Sequence, residues 1–213
     1  KKLLKELETT HVHCHLAHAN WIGLWAARLA GIRNRIYTRH SGEPLNIHWK
    51  ERFIDKIQNR LATKIVSISQ NIDDLLKKQG VPADKRVLIH HGFDLERFSS
   101  SEPEKVNELK EKYNPQGQAP VIGVIARWME WKGIQYTIEA FKEVVKHYPD
   151  ALLCLFGASE NADYSKEIGE LVKTLPGKNV RVTGFEPNVF DLYQLFDCYV
   201  HVPVNPHCEA FGQ

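Results

Sequence analysis

The sequence has no CxxC pair, and its four cysteines, Cys14, Cys154, Cys198 and Cys208, sit apart in or beside apolar stretches. Neither a zinc ribbon nor a disulfide framework fits that spacing, so a reducing, cytoplasmic setting is expected. No apolar run approaches the roughly 20 residues that cross a bilayer, and the lysine-rich start is not followed by the apolar stretch of a signal peptide. Any membrane contact is therefore expected to be peripheral, at the inner face. Charge of one sign is also scarce: 28 Lys and Arg against 26 Asp and Glu leave a net +2. The basic residues are interspersed with acidic ones, which removes nucleic acid as the default partner. No repeat or low-complexity tract is visible. Methionine occurs once, at Met129. With a helical start at Lys1 and a loop motif just opening at Gln213, further sequence is expected on both sides.

What is present is an ordinary globular balance, 43% apolar and 25% charged, in which short β-branched runs alternate with stretches of helical period. Gly, Pro, Asn or Asp marks each switch, the grammar of βαβ units. A strand is expected near 11–16, then a helix over about 20–30 in which Ile22, Trp25, Ala26 and Leu29 share a face. A strand at 35–38 leads into an amphipathic helix carrying Phe53, Ile54, Ile57 and Leu61. A strand at 64–69, a helix capped by Ser69 and closed by Gly80, and a strand at 86–90 complete the first half.

Residues 1–98 thus read as the carboxyl-terminal part of one domain. The polar stretch 99–119, rich in Ser, Pro and Gly, reads as a linker. Residues 120–213 read as the amino-terminal part of a second domain, with strands at 121–126, 152–156, 180–183 and 198–202 and helices at 134–147, 164–175 and 189–196. The fold class is α/β, two Rossmann-like doubly wound parallel sheets, both incomplete. Ligands of such sheets sit beyond the carboxyl ends of the strands, so function belongs in the loops that follow them.

One such loop is Gly123-Val-Ile-Ala-Arg-Trp-Met-Glu-Trp-Lys-Gly133. Arg127 and Lys132 flank a turn between a strand and a helix N-terminus, where two fixed cations suit a diphosphate whose charge grows as a bond to it breaks. A pair of solvated surface cations has the same spacing. The segment resembles the G-R-x-x-x-x-K-G element of the retaining glycosyltransferases with the GT-B fold, the family 4 type also called glycosyl transferases group 1. That resemblance implies that Arg127 and Lys132 hold the donor's diphosphate. Ala126 stands where glycine is usual, a departure that leaves both cations in place.

The resemblance covers nearly the whole chain. Val66-Ser-Ile-Ser69 and Val87-Leu-Ile-His-His-Gly-Phe-Asp94 are similar to the family's segments before the domain junction, with His91 replacing asparagine and Gly92 still permitting the turn. Ile138-Glu-Ala-Phe141 and Val182-Thr-Gly-Phe185 match its donor-domain scaffold. Pro206-His-Cys-Glu-Ala-Phe-Gly-Gln213 resembles the opening of its E-x7-E motif. That similarity implies that Glu209 faces the donor sugar, while the backbone N–H groups of Phe211 and Gly212 approach the sugar and phosphate.

His11, His13 and His15 alternate along the first strand and so share one face, with His18 expected in the following loop. Such a cluster suits zinc, and an H-x-H strand also opens metal-dependent amidohydrolases, but that barrel needs eight βα units and further ligands that this chain lacks. In the glycosyltransferases the corresponding strand ends in H-x-H with the second histidine near the transferred sugar, which implies that role for His15 and a structural one for His13. His40 either lines the acceptor side or is a satisfied loop histidine. Trp128 and Trp131 either stack on a ligand or pack under the phosphate turn, and packing is the expectation.

The resemblance implies transfer of a sugar from a UDP- or GDP-linked donor to a glycan, lipid-linked or small-molecule acceptor with retention at the anomeric carbon. It implies no cofactor and no metal, and family habit suggests cell-surface polysaccharide synthesis. A non-catalytic sugar-nucleotide-binding module is the alternative from another class, and an H-x-H hydrolase is a third.

Overall fold

In the computed structural model, which describes residues 1–40, 49–99 and 102–204, the described chain divides into two units, Lys1–Gly92 and Phe93–Val204. In the first unit α1 (Lys2–Glu6) precedes β1 (His11–His15), α2 (Ala17–Ala30), β2 (Asn34–Arg39), α3 (Trp49–Leu61), β3 (Lys64–Ser67), α4 (Gln70–Lys78) and β4 (Arg86–Leu88). The strands form one parallel sheet in the order β1-β2-β3-β4. The register sets His15 beside Thr38, Arg39 beside Ser67 and Ser67 beside Leu88, so the carboxyl ends line one edge. Leu24, Tyr37, Ile65, Ile72 and Leu76 fill the core against them. Ser69 caps α4 as its sequence position predicts, its Oγ accepting from the Ile72 N–H at 3.4 Å.

Two helix faces differ from expectation. On α2 the buried residues are Asn20, Leu24 and Ala27, while Ile22, Trp25 and Leu29 are 69%, 37% and 60% exposed. The helix lies too close to β1 for bulk: a Cβ on Gly23 would stand 2.5 Å from the Cys14 Sγ. It also begins at Ala17, so His18 is helical rather than in a loop. On α3 the buried residues include Asp55 and Gln58, while Phe53 is exposed. The cause is Arg39, itself buried, whose guanidinium lies 3.1 Å from the Asp55 carboxylate.

The second unit runs α5 (Glu96–Ser99), α6 (Pro103–Tyr113), β5 (Val121–Ile125), α7 (Ile134–His147), β6 (Leu152–Phe156), α8 (Ala162–Val172), β7 (Val180–Thr183), α9 (Val189–Leu192) and β8 (Cys198–Tyr199). Its parallel sheet has the order β7-β6-β5-β8. The central strand β6 is buried along its whole length, as a strand covered on both faces must be. Leu153 and Leu155 join one apolar cluster with Ile138 of α7 and Ile168 of α8. Leu152, Cys154 and Phe156 join another with Leu109 and Tyr113 of α6 and Leu192 of α9.

The stretch read as a linker therefore contributes a core helix. Pro103 opens α6 while Pro115 and Gly117 follow it, and the two buried residues of that helix, Leu109 and Tyr113, are too few to stand out as a hydrophobic stripe. Phe98, placed by its sequence position at the end of the first half, packs edge-on against Phe190, with ring centroids 4.9 Å apart. Burial pushes the Cys154 thiol up to about 12, which makes it inert at neutral pH. No helix among the described residues is long and apolar enough to cross a membrane.

Candidate functional site

In the second sheet the chain moves from β5 to β6 to β7 in one direction and then returns to place β8 on the other side of β5. The crevice at such a reversal, beyond the carboxyl ends, is where open α/β sheets bind ligands. Ile125, Phe156 and Thr183 end their strands side by side, and past them opens a cavity of about 740 Å³. Arg127, Trp128, Gly157, Asn161, Phe185 and Glu186 are among its lining residues. The walls are otherwise largely apolar, with Glu130 and Glu160 as further charged groups, so the cavity suits a ligand with a flat or apolar body.

The two loops on its floor are tied beyond the strands. The Ala126 N–H donates to the Phe156 carbonyl at 3.1 Å and the Trp128 N–H to the Ala158 carbonyl at 2.8 Å. Gly157 makes this approach possible, with φ +123° and a Cβ position only 1.9 Å from the Ala126 oxygen. Trp128 is buried at 7% exposure in the core under the turn, in line with the packing expectation. Trp131 is half-buried, and the Lys132 ammonium sits 4.6 Å from its ring centroid.

Arg127 lines the cavity. Lys132 follows in the same loop, next to Trp131 of the cavity lining, and burial and then the charge of Lys132 lower the pKa of His201 below the usual histidine value. The Val204 N–H donates to the Trp131 carbonyl at 3.0 Å, which joins the loop after β8 to the phosphate-type turn. Gly133, at φ +71°, opens α7, and any Cβ there would stand 2.0 Å from the Val202 oxygen. The loop from β5 to α7 thus carries a guanidinium and an ammonium and ends at the first turn of a 14-residue helix, a combination that favours anions.

One wall escaped the sequence reading. Thr183-Gly-Phe185 reads there as scaffold, yet Phe185 is 85% exposed and lines the cavity beside Glu186. Glu186 is buried and held by α6: the Tyr113 hydroxyl donates to its Oε2 at 2.5 Å and the Lys112 ammonium approaches at 3.1 Å. The Asn188 N–H donates to Oε1 at 3.2 Å. The only sequence signal would have been a position after a strand, since the side-chain partners lie more than 70 residues away.

In the first unit the histidines gather at the carboxyl edge of the sheet. His13 Nε2 is bonded to Thr38 Oγ1 at 2.8 Å, and His15 Nδ1 lies 2.8 Å from His40 Nε2. The His40 ring stacks on that of His91 with centroids 5.9 Å apart. Burial, then the neighbouring imidazole of His15, lowers the pKa of His13. Among the described residues no group of three or more His, Cys, Asp or Glu is arranged to hold a metal ion. Glu209, Phe211 and Gly212 lie outside the described residues.

Comparison with known proteins adds to this geometry. The profile of the family described as Glycosyl transferases group 1 matches residues 105–213, and that of Glycosyltransferase Family 4 matches residues 1–97. UDP-Gal:alpha-D-GlcNAc-diphosphoundecaprenol alpha-1,3-galactosyltransferase of Escherichia coli is 28% identical over 75% of this chain and 43% of its own. Alpha-monoglucosyldiacylglycerol synthase of Acholeplasma laidlawii is 24% identical over 92% of this chain and 53% of its own. The crystal structure of HepE from Anabaena in complex with UDP matches with a TM-score of 0.81 at 21% identity, covering 97% of this chain and 57% of that one. The chain spans about half the length of the relatives it matches, and the fold it shares with the solved structure is a pair of parallel-sheet α/β units.

Proposed function

Because this chain belongs to the Glycosyl transferases group 1 family, with its first half matching Glycosyltransferase Family 4, we propose that the whole protein moves a sugar from a nucleotide-diphosphate donor to an acceptor hydroxyl with retention at the anomeric carbon. The observation that carries this reading is Arg127 on the cavity wall, with Lys132 and the start of α7 at the strand-order reversal. UDP is the favoured nucleotide, since the E. coli relative is named for UDP-Gal and HepE is a UDP complex. A lipid-linked acceptor in surface-glycan synthesis is favoured because both relatives are named for lipid substrates or products. In this reading the work is done at the cytoplasmic face of a membrane.

In this reading the diphosphate leaves on the same face that the acceptor attacks. The C1–O bond to the diphosphate breaks, the acceptor oxygen bonds to C1, and the acceptor's proton passes to the departing phosphate. Arg127 and Lys132 offset the charge that develops on the leaving group, Glu209 orients the sugar, and His15 contacts it. The work is mostly electrostatic. The test is release of UDP from UDP-galactose and UDP-glucose by the whole protein, with Arg127→Ala and Lys132→Ala alongside. Each substitution is expected to lower turnover roughly ten- to a thousandfold, because removing one such donor costs about 3 kcal/mol. Near-normal turnover in both variants at saturating donor would overturn the assignment.

A further inference from the structure

His15 Nδ1 and His40 Nε2 are 2.8 Å apart, with ring centroids at 5.1 Å and planes tilted by 34°. Two neutral imidazole nitrogens at that separation hold one proton between them, because two lone pairs repel and two N–H groups collide. Whichever ring donates fixes the tautomer of the other. The rest of the cluster leaves little freedom: His13 is committed to Thr38 through Nε2, its ring lies 4.5 Å from that of His15, and His91 stacks on His40.

We infer that His40 is a positioning residue for His15: its Nε2–H donates to His15 Nδ1, which holds His15 as the Nε2–H tautomer, a hydrogen-bond donor to a hydroxyl of the transferred sugar. The inference rests on the reading of His15 as the histidine that faces that sugar. The direction of the bond follows from the surroundings. His40 is the more buried of the two rings, and burial followed by the imidazoles of His15, His91 and His13 lowers its proton affinity. None of those neighbours is a carboxylate, so nothing among them favours an imidazolium at His40, and the neutral, more buried ring offers its Nε2–H to the more exposed one. The neighbours that make His40 a poor base thus make it a good orienter. With Nδ1 engaged, the imidazole of His15 is restrained about its χ angles as well as in its tautomer.

The test uses the whole protein labelled with 15N-histidine, together with steady-state turnover. The wild type is expected to show His15 protonated on Nε2, with a nitrogen–nitrogen coupling across the bond to His40. His40→Ala should abolish the coupling and leave His15 in mixed tautomers, with kcat lowered roughly three- to tenfold, the size of one hydrogen bond. The donor KM should change by less than about twofold, as for an interaction used in the transition state. His40→Gln, whose amide N–H reaches the same place, should restore most of kcat. A missing coupling, His15 protonated on Nδ1, or equal turnover in His40→Ala and wild type would each overturn the inference. If His15→Ala turns over normally, the sugar-facing reading and this inference fall together. An impaired His15→Ala beside an unimpaired His40→Ala overturns the inference alone.

Discussion

Gly157→Ala is the most severe test of how the cavity is built. At φ +123° an L side chain is strained, at a cost of about 1 to 3 kcal/mol. The added Cβ would also stand 1.9 Å from the Ala126 oxygen and 3.4 Å from Trp128 Nε1, so the loops after β5 and β6 must separate by about an ångström, an overpacking cost of about 1 to 3 kcal/mol. Separation lengthens the bonds that join those loops, Ala126 N–H to Phe156 and Trp128 N–H to Ala158, adding about 1 to 2 kcal/mol. The sum, about 3 to 8 kcal/mol, is a large share of the roughly 5 to 15 kcal/mol that holds a domain together. In urea the midpoint of the second unit should fall by about 1.5 M or more, taking a slope of about 2 kcal/mol/M. Calorimetric titration of the whole protein with UDP-glucose should show binding lost in parallel. Gly184→Ala, where nothing lies within 4 Å of the added Cβ, is the control and should behave as wild type. A Gly157→Ala variant with an unchanged midpoint and unchanged binding would refute the close approach of the two loops.

Asp55→Ala removes the carboxylate that the buried Arg39 faces at 3.1 Å and should cost about 3 to 5 kcal/mol in thermal or urea unfolding, whereas Arg39→Leu combined with Asp55→Leu should be less damaging than either single change. A double variant worse than both singles would count against a desolvated pair. For Glu186, burial raises the pKa, but the hydrogen bonds from Tyr113 and Lys112 outweigh it and the net shift is downward. Its contribution to stability is therefore complete above the unfolded carboxylate value near 4.3 and is lost as the pH falls through the lower folded value. Tyr113→Phe removes one of those donors and should move the acid-unfolding midpoint, followed by circular dichroism, to higher pH; an unmoved midpoint would show that the hydroxyl does not stabilise the charge.

The middle of the second unit was the most legible stretch of the sequence because its elements obey one rule each. The helix over 134–147 and the strands over 152–156 and 180–183 fall where periodicity placed them, since a strand buried on both faces reads as a continuous apolar run and an amphipathic helix as a stripe. Arg127 was legible for a similar reason, as a charge at the end of a predicted strand. Periodicity misjudged α2 and α3 because it assigns the apolar stripe to the core. On α3 the inward face is set by a charge on a neighbouring strand, a fact that no local window contains. The contacts of Glu186 with α6, and of His15 with His40, were illegible for the same reason: tertiary proximity alone creates them.

The buried Arg39–Asp55 pair gains a meaning from that comparison. A well-packed apolar pair would hold α3 against the sheet at least as firmly, because desolvating two charges offsets most of their attraction. What an apolar pair does not supply is direction. A guanidinium held by Asp55, with Gln79 donating to the same carboxylate oxygen at 3.4 Å, fixes the last residue of β2 in one rotamer and one register. The next residue in the chain is His40, whose ring must meet His15 Nδ1 within hydrogen-bond range. A slip of a few tenths of an ångström at Arg39 would pass directly into that contact. The polar inward face of α3 and the outward placement of Phe53 thus accompany an anchored strand end one residue before the histidine that meets His15.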